Sequence, residues 1–260
     1  MESTVTDQAT TAKSGKPEIG CWVTSPNHWA CEMAAAIGYS TVLFDLEHGT
    51  INVESVDRLI ALGRALGLQV YVRVSSPDRV PIQQMLDAGA HAVILPQVRD
   101  LEHALAGSSF SKYPTVGLRG MGTPRSLNYG DTPADFVTKE NERTKCLVMI
   151  ETPGALRDVA QIAALPTVDG LLMGPYDLSL TRGRGQYQRS KEDARDADQI
   201  AAAAKKAGKF LGMNAGNRLE FQAAISSGAD LISIVDDLGA MNSGLRQAFD
   251  GIAASVRPAS

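Results

Sequence analysis

Eight short apolar runs, alternating with longer amphipathic stretches along 260 residues, predict a (β/α)₈ TIM barrel, an α/β fold. Three observations carry this. The length is that of one barrel domain. The short runs are rich in Val, Ile and Leu without clean polar alternation, the pattern of strands buried on both faces. The first run is not followed by Gly-x-Gly-x-x-Gly, so an open dinucleotide-binding sheet lacks its usual support.

The candidate strands are Gly20–Thr24, Thr41–Leu46, Gln69–Val74, Ala92–Pro96, Cys146–Glu151, Gly170–Met173, Phe210–Asn214 and Leu231–Val235. Helices are expected at Val53–Leu66, Val80–Ala88 and Ala155–Ala164. Ala194–Ala207 has Lys in its last turn and ends at Gly208, and Leu219–Ser227 ends at Gly228, both C-cap signals. Met241–Ser255 closes the chain. Two long excursions, Tyr113–Thr144 and Asp177–Lys191, follow barrel positions where loops build active sites, and the second is polar and rich in Arg and Gly. Residues 1–16 read as a disordered or weakly ordered arm and 17–260 as a single catalytic domain.

Composition excludes several classes. A net charge of −4 gives no basic footprint for nucleic acid. No stretch approaches the length of a membrane span, and the arm lacks a signal-peptide core. Cys21, Cys31 and Cys146 are odd in number and form no Cys-x-x-Cys pair, so reduced, buried thiols in a cytoplasmic protein are expected.

Catalytic groups of a barrel gather where strands end. The second strand ends in Asp45-Leu46-Glu47-His48, placing an imidazole beside carboxylates as a base near neutral pH. The third ends at Arg73, a fixed cation for an oxyanion. The fifth ends at Glu151, and the sixth leads into Gly174-Pro175-Tyr176-Asp177. Glu151 and Asp177 would thus come from neighbouring strand ends and share one hard divalent cation such as Mg²⁺ or Mn²⁺, although Asp177 alone also reads as a helix N-cap. Asp87 reads as a helix-terminus polar residue, and His91 and His103 have no role. Trp22 suits either the barrel mouth or the core. The backbone of Gly117–Gly122 offers a weak anion-site signal, and Arg125 nearby could face an acidic substrate.

These pieces resemble the HpcH/HpaI aldolase family, the metal-dependent pyruvate aldolases, which also contains macrophomate synthase. Matching segments are FDLEHG (Phe44–Gly49), YVRV (Tyr71–Val74), MLDAGA (Met85–Ala90), GLRGMG (Gly117–Gly122), VMIETPGAL (Val148–Leu156) and GPYDLS (Gly174–Ser179), in the family's order and spacing. The resemblance implies a barrel of the phosphoenolpyruvate/pyruvate type. It implies Glu151 and Asp177 as ligands of Mg²⁺, Mn²⁺ or Co²⁺, Arg73 as holder of the enolate oxygen, and His48 as the catalytic histidine with Asp87 its partner, within the chain or across a subunit contact. Asp45 matches a second acid near that histidine, and Gly174, Pro175 and Tyr176 the backbone that holds the pyruvyl carboxylate. It further implies a homohexamer, a trimer of dimers, with the C-terminal helix exchanged. One departure stands out: Met149 occupies a position where the family often carries Gln.

The expected reaction makes or breaks the bond joining a 2-oxo acid to an aldehyde, both small molecules. Oxaloacetate decarboxylation or a macrophomate-synthase-like reaction through the same enolate is the alternative within enzymes. An oligomeric binding protein that keeps the pocket without turnover is the alternative outside them.

Overall fold

In a computed structural model the protein forms a closed barrel of eight parallel strands in the order β1 to β8, each hydrogen-bonded to its sequence neighbours and β8 to β1. The structure describes residues 16–122, 125–127, 129–130 and 132–253. The expected arm therefore lies outside the described residues, apart from Lys16.

The strands are β1 Glu18–Val23, β2 Thr41–Asp45, β3 Gln69–Arg73, β4 Ala92–Leu95, β5 Lys145–Ile150, β6 Gly170–Met173, β7 Phe210–Asn214 and β8 Leu231–Asp236. All eight expected strands are present; β6 and β7 keep the expected bounds, and the ends of the others shift by at most two residues. The helices are α1 His28–Ile37, α2 Val53–Ala65, α3 Arg79–Asp87, α4 Leu101–Ser109, α5 Phe136–Arg143, α6 Pro153–Arg157, α7 Val159–Ala164, α8 Pro175–Thr181, α9 Lys191–Ala207, α10 Arg218–Ser226 and α11 Asp237–Ile252.

The apolar residues divide into two layers. Leu43, Tyr71, Ala92, Ile94, Leu147, Met149, Leu172 and Leu231 fill the barrel interior. The larger cluster, with Val42, Val70, Val93 and Val148 facing Ile60, Leu86 and Ile162, packs the outer strand faces against the helices. This double burial is why the strands read as continuous apolar runs.

Some helices differ from expectation. In α1 the large apolar residues Trp29, Met33 and Ile37 lie exposed, and the small residues Ala30, Cys31 and Ala34 make the packing face. The expected helix Ala155–Ala164 is two helices meeting at Asp158, whose carboxylate accepts from the Leu101 N–H at 3.2 Å. The excursion Asp177–Lys191 is not wholly loop, because α8 opens at Pro175 with its fixed φ at the first helical position. The other excursion contains a 3₁₀ turn, Arg125–Leu127, and α5. Helix α9 begins earlier than expected, on a capping box between Ser190 and Asp193, and ends at the left-handed Gly208. Helix α11 begins at Asp237 and buries none of its residues; Leu238, Met241, Leu245, Phe249 and Ile252 stand exposed along it. No helix of the described residues is long and apolar enough to cross a membrane.

Cys21, Cys31 and Cys146 are buried and free, as expected. His91, just before β4, is buried, and its Nδ1 accepts from the Val70 N–H at 3.0 Å. Burial, helped by Arg143, Arg64 and Lys145, pushes its pKa from 6.5 down to about 3. A depressed folded-state pKa contributes stability above 6.5 that is lost as pH falls toward 3. Between pH 7 and 4.5 the unfolding free energy should drop by about 3 kcal/mol through this residue. The His91→Gln variant keeps an acceptor for Val70 and should lose that acid sensitivity, read by urea titrations at the two pH values.

Candidate active site

Inward-facing residues of a strand recur every second position. Two positions beyond the interior residues Leu43, Tyr71, Met149, Leu172 and Leu231 lie Asp45, Arg73, Glu151, Gly174 and Ser233. The period that fills the core with apolar side chains therefore delivers this set at the C-terminal mouth. All five line one cleft of about 310 Å³, together with Trp22, Pro175, Tyr176, Asp177, Asn214 and Asp236.

Asp45 and Arg73 are register partners at the ends of β2 and β3. Arg73 donates through Nε to Asp45 Oδ1 at 2.8 Å and through Nη2 to Oδ2 at 2.6 Å. Its Nη1 lies 3.2 Å from Glu47 Oε2 and 3.8 Å from Met149 Sδ, and its guanidinium sits 5.1 Å from the Trp22 ring centre. Burial works against the charged form of Asp45, but the bonds and charge of Arg73 and the N–H groups of His48 and Glu47 hold its carboxyl below the usual range. The guanidinium is thereby fixed where it lines the cleft, the preorganisation an oxyanion holder needs.

Glu151 is buried and accepts from the Gln97 N–H at 2.6 Å. Burial, with Glu47 and Asp177 adding to it, pushes its pKa up to about 7, while the Gln97 bond and Arg73 pull the other way. Asp177 lines the same cleft from the first turn of α8, whose N-cap is Gly174, so the N-cap reading of Asp177 does not hold. Glu47 Oε2 is buried and met by the Arg73 charge at 3.2 Å. Acids crowded around a buried carboxylate are the hard-oxygen, electron-rich setting that suits a divalent cation. Among the described residues no group of three or more His, Cys, Asp or Glu side chains stands together at ligand spacing. Two carboxylates, Glu151 and Asp177, fit such an ion, with its other positions left to water and substrate oxygens.

Gly174 makes this possible by its lack of a side chain. A Cβ there would lie 2.7 Å from both Cβ and Oε2 of Glu151. The Gly174→Ala variant should therefore displace Glu151, costing about 2 kcal/mol of stability and about 100-fold in turnover. Thermal unfolding and product release measured side by side would check both.

The two residues expected to form the base, His48 and Asp87, do not meet among the described residues. The His48 side chain is 60% exposed, with Nε2 3.6 Å from Glu47 Oε2. Asp87, at the end of α3, is held by Arg119 at 2.7 Å, and Arg119 also faces Glu140 at 3.4 Å. The chain thus brings Asp45, Arg73, Glu151, Asp177, Gly174, Pro175 and Tyr176 together but joins Asp87 to Arg119 and not to His48.

Two weaker sequence signals are corrected. Arg125 donates to Asp57 Oδ2 at 2.9 Å and to the Ala88 carbonyl at 2.7 Å and is not among the residues that line the cleft. In the glycine-rich segment the N–H groups of Leu118, Arg119 and Gly120 are already bonded to Ser109, Lys112 and Gln83, so they do not form an anion nest. Trp22 belongs to the mouth: its Nε1 donates to Ser233 Oγ at 3.1 Å and to Asn214 Oδ1 at 3.3 Å. Asn214, Ser233 and Asp236 were not singled out by sequence reasoning, and Glu47 was read only as a carboxylate beside His48. Extending the every-second-residue period past Leu43 and Leu231 would have found Glu47 and Ser233.

Known proteins resemble the chain along most of its length. The family model for HpcH/HpaI aldolase/citrate lyase matches residues 18–239. A 4-hydroxy-2-oxo-heptane-1,7-dioate aldolase of Shigella sonnei is 30% identical over 251 residues, covering 95% of each chain. An HpcH/HpaI aldolase/citrate lyase family protein from Burkholderia cenocepacia superposes with a TM-score of 0.84 at 26% identity, over 91% of this chain and 95% of that one. Macrophomate synthase shares the fold, with a TM-score of 0.81 at 22% identity over 95% of this chain and 88% of that one. The chain belongs to the HpcH/HpaI aldolase/citrate lyase family, a metal-dependent family, and is a lyase of the aldolase kind.

Proposed function

We propose that the protein cleaves and forms 4-hydroxy-2-oxo acids, releasing pyruvate or a close 2-oxo acid and an aldehyde. The observation that carries this reading is the Arg73 guanidinium, fixed by Asp45 and Glu47 in the cleft that Glu151 and Asp177 line. The named relatives act on a substrate of this class.

Glu151 and Asp177 would hold Mg²⁺, Mn²⁺ or Co²⁺. When bound, the ion supplies Lewis acidity to the 2-oxo group. Gly174, Pro175 and Tyr176 line the cleft beside both acids and would seat the pyruvyl carboxylate. His48 takes the proton of the 4-hydroxyl. The C3–C4 bond then breaks, its electron pair moves to C2–C3, and the aldehyde leaves. The ketone oxygen becomes the enolate oxygen, and Arg73 places fixed positive charge beside it. Protonation at C3 gives pyruvate.

Among the described residues the His48 imidazole faces Glu47, and Asp87 is paired with Arg119 instead. A second copy that brings its own Asp87 to His48 would complete the base. The exposed apolar stripe of α11 supports assembly through an exchanged C-terminal helix, in a hexamer built as a trimer of dimers.

The test is pyruvate release from a panel of 4-hydroxy-2-oxo acids and oxaloacetate, with each of the three metals and with EDTA. Metal-dependent release from a hydroxy-oxo acid is expected. Release from oxaloacetate alone would replace the aldolase reading with a decarboxylase.

A further inference from the structure

Beyond the pyruvyl half, the cleft is walled by β1, β7 and β8. Trp22, Asn214 and Ser233 form a closed neutral cluster there. Trp22 Nε1 donates to both partners, and the Ser233 hydroxyl is bonded to Asn214 Oδ1. One Asn214 amide N–H goes to the Met173 carbonyl at 3.3 Å, leaving the other for a ligand. Asp236 lines the same wall, and its Oδ1 accepts from the Gly239 N–H at 2.7 Å.

Of the four acids that line the cleft, Asp45 is paired with Arg73, and Glu151 and Asp177 would be balanced by the divalent cation, which leaves Asp236 without a cation among the described residues. The arginines of the segment after α8 are engaged elsewhere. Arg182 and Arg184 pair with Asp196 on α9 at 3.5 and 2.5 Å, and Arg189 pairs with Glu220 on α10. Among the described residues, no Lys and no Arg other than Arg73 lines the cleft. A carboxylate at the far end of a substrate would meet Asp236 with no cation among the described residues of the chain to receive it. A hydroxyl would donate to the Asp236 carboxylate and accept from the Asn214 N–H.

Resting on the aldolase reading above, we propose that the wall of Trp22, Asn214, Ser233 and Asp236 selects an uncharged, hydroxylated aldehyde half over one that ends in a carboxylate. This sets the chain apart from relatives named for a heptane-1,7-dioate substrate.

The test compares kcat/KM for pyruvate release from 4,5,6-trihydroxy-2-oxohexanoate and from 4-hydroxy-2-oxoheptane-1,7-dioate, using the metal-loaded enzyme. The trihydroxy acid is expected to win by at least about tenfold. Added salt should narrow the gap, because it screens the repulsion of the second carboxylate. The Asp236→Asn variant, which keeps a side chain able to cap α11, should narrow it by about threefold or more. Equal rates, or preference for the dicarboxylate, would overturn the proposal and leave the aldolase reading standing. A tenfold gap that neither salt nor Asp236→Asn changes would also overturn it. Pyruvate from neither acid would overturn the aldolase reading and this selectivity together.

Discussion

Glu151→Gln is expected to lower pyruvate release by about 10³-fold, on the order of 4 kcal/mol of transition-state stabilisation. The substitution is nearly isosteric, and the Gln97 N–H keeps an oxygen to donate to. Packing around this buried residue should therefore survive, and the loss should come from the missing negative ligand. Thermal unfolding with and without Mn²⁺ separates the two causes. The wild-type protein should gain stability on adding metal, and the variant should not. A variant that kept a tenth of wild-type turnover would remove Glu151 from the ligand set.

Arg73→Lys should cost about 10²–10³ in kcat while KM changes by less than about tenfold. Arg73 makes two parallel bonds to Asp45, faces Glu47 through its third nitrogen and lies against the Trp22 ring. A lysine ammonium is a compact point charge that cannot hold this fork, so the positive charge would no longer stand where the oxyanion forms. Steady-state kinetics with circular dichroism as the folding control would check it. Near wild-type kcat would end the oxyanion role.

How far the sequence revealed the molecule depended on where burial acts. The strands were legible because both faces of β2 to β6 are packed, the inner on Leu43 and Leu147, the outer on Val42 and Val148. Helices α1 and α4 were not, because small residues such as Ala34, Ala104 and Gly107 form their packing faces and no large apolar stripe marks them. Helix α8 was hidden by its shortness and by the polar segment that follows. At the site, Asp45, Arg73 and Glu151 were legible as charged residues at the ends of apolar strands, and Asp177 as an acid in the segment that follows β6. The pairing of Asp87 with Arg119 was not, because it joins α3 to a loop 32 residues away with no periodicity to reveal it. Met149 packs in the barrel interior one step below Glu151 and also lines the cleft, its sulfur 3.8 Å from Arg73 Nη1.

The buried thiols have a practical consequence. Burial pushes Cys21 up to about 11 and Cys31 and Cys146 up to about 12, so very little reactive thiolate exists at neutral pH. A maleimide should then ignore the folded chain and mark only a cysteine introduced on the surface, with no need to remove the native three. Cys21 and Cys31 lie at β1 and α1 and Cys146 lies in β5, across the barrel. Their alkylation rates would therefore act as separate clocks, one timing the opening of each side of the ring.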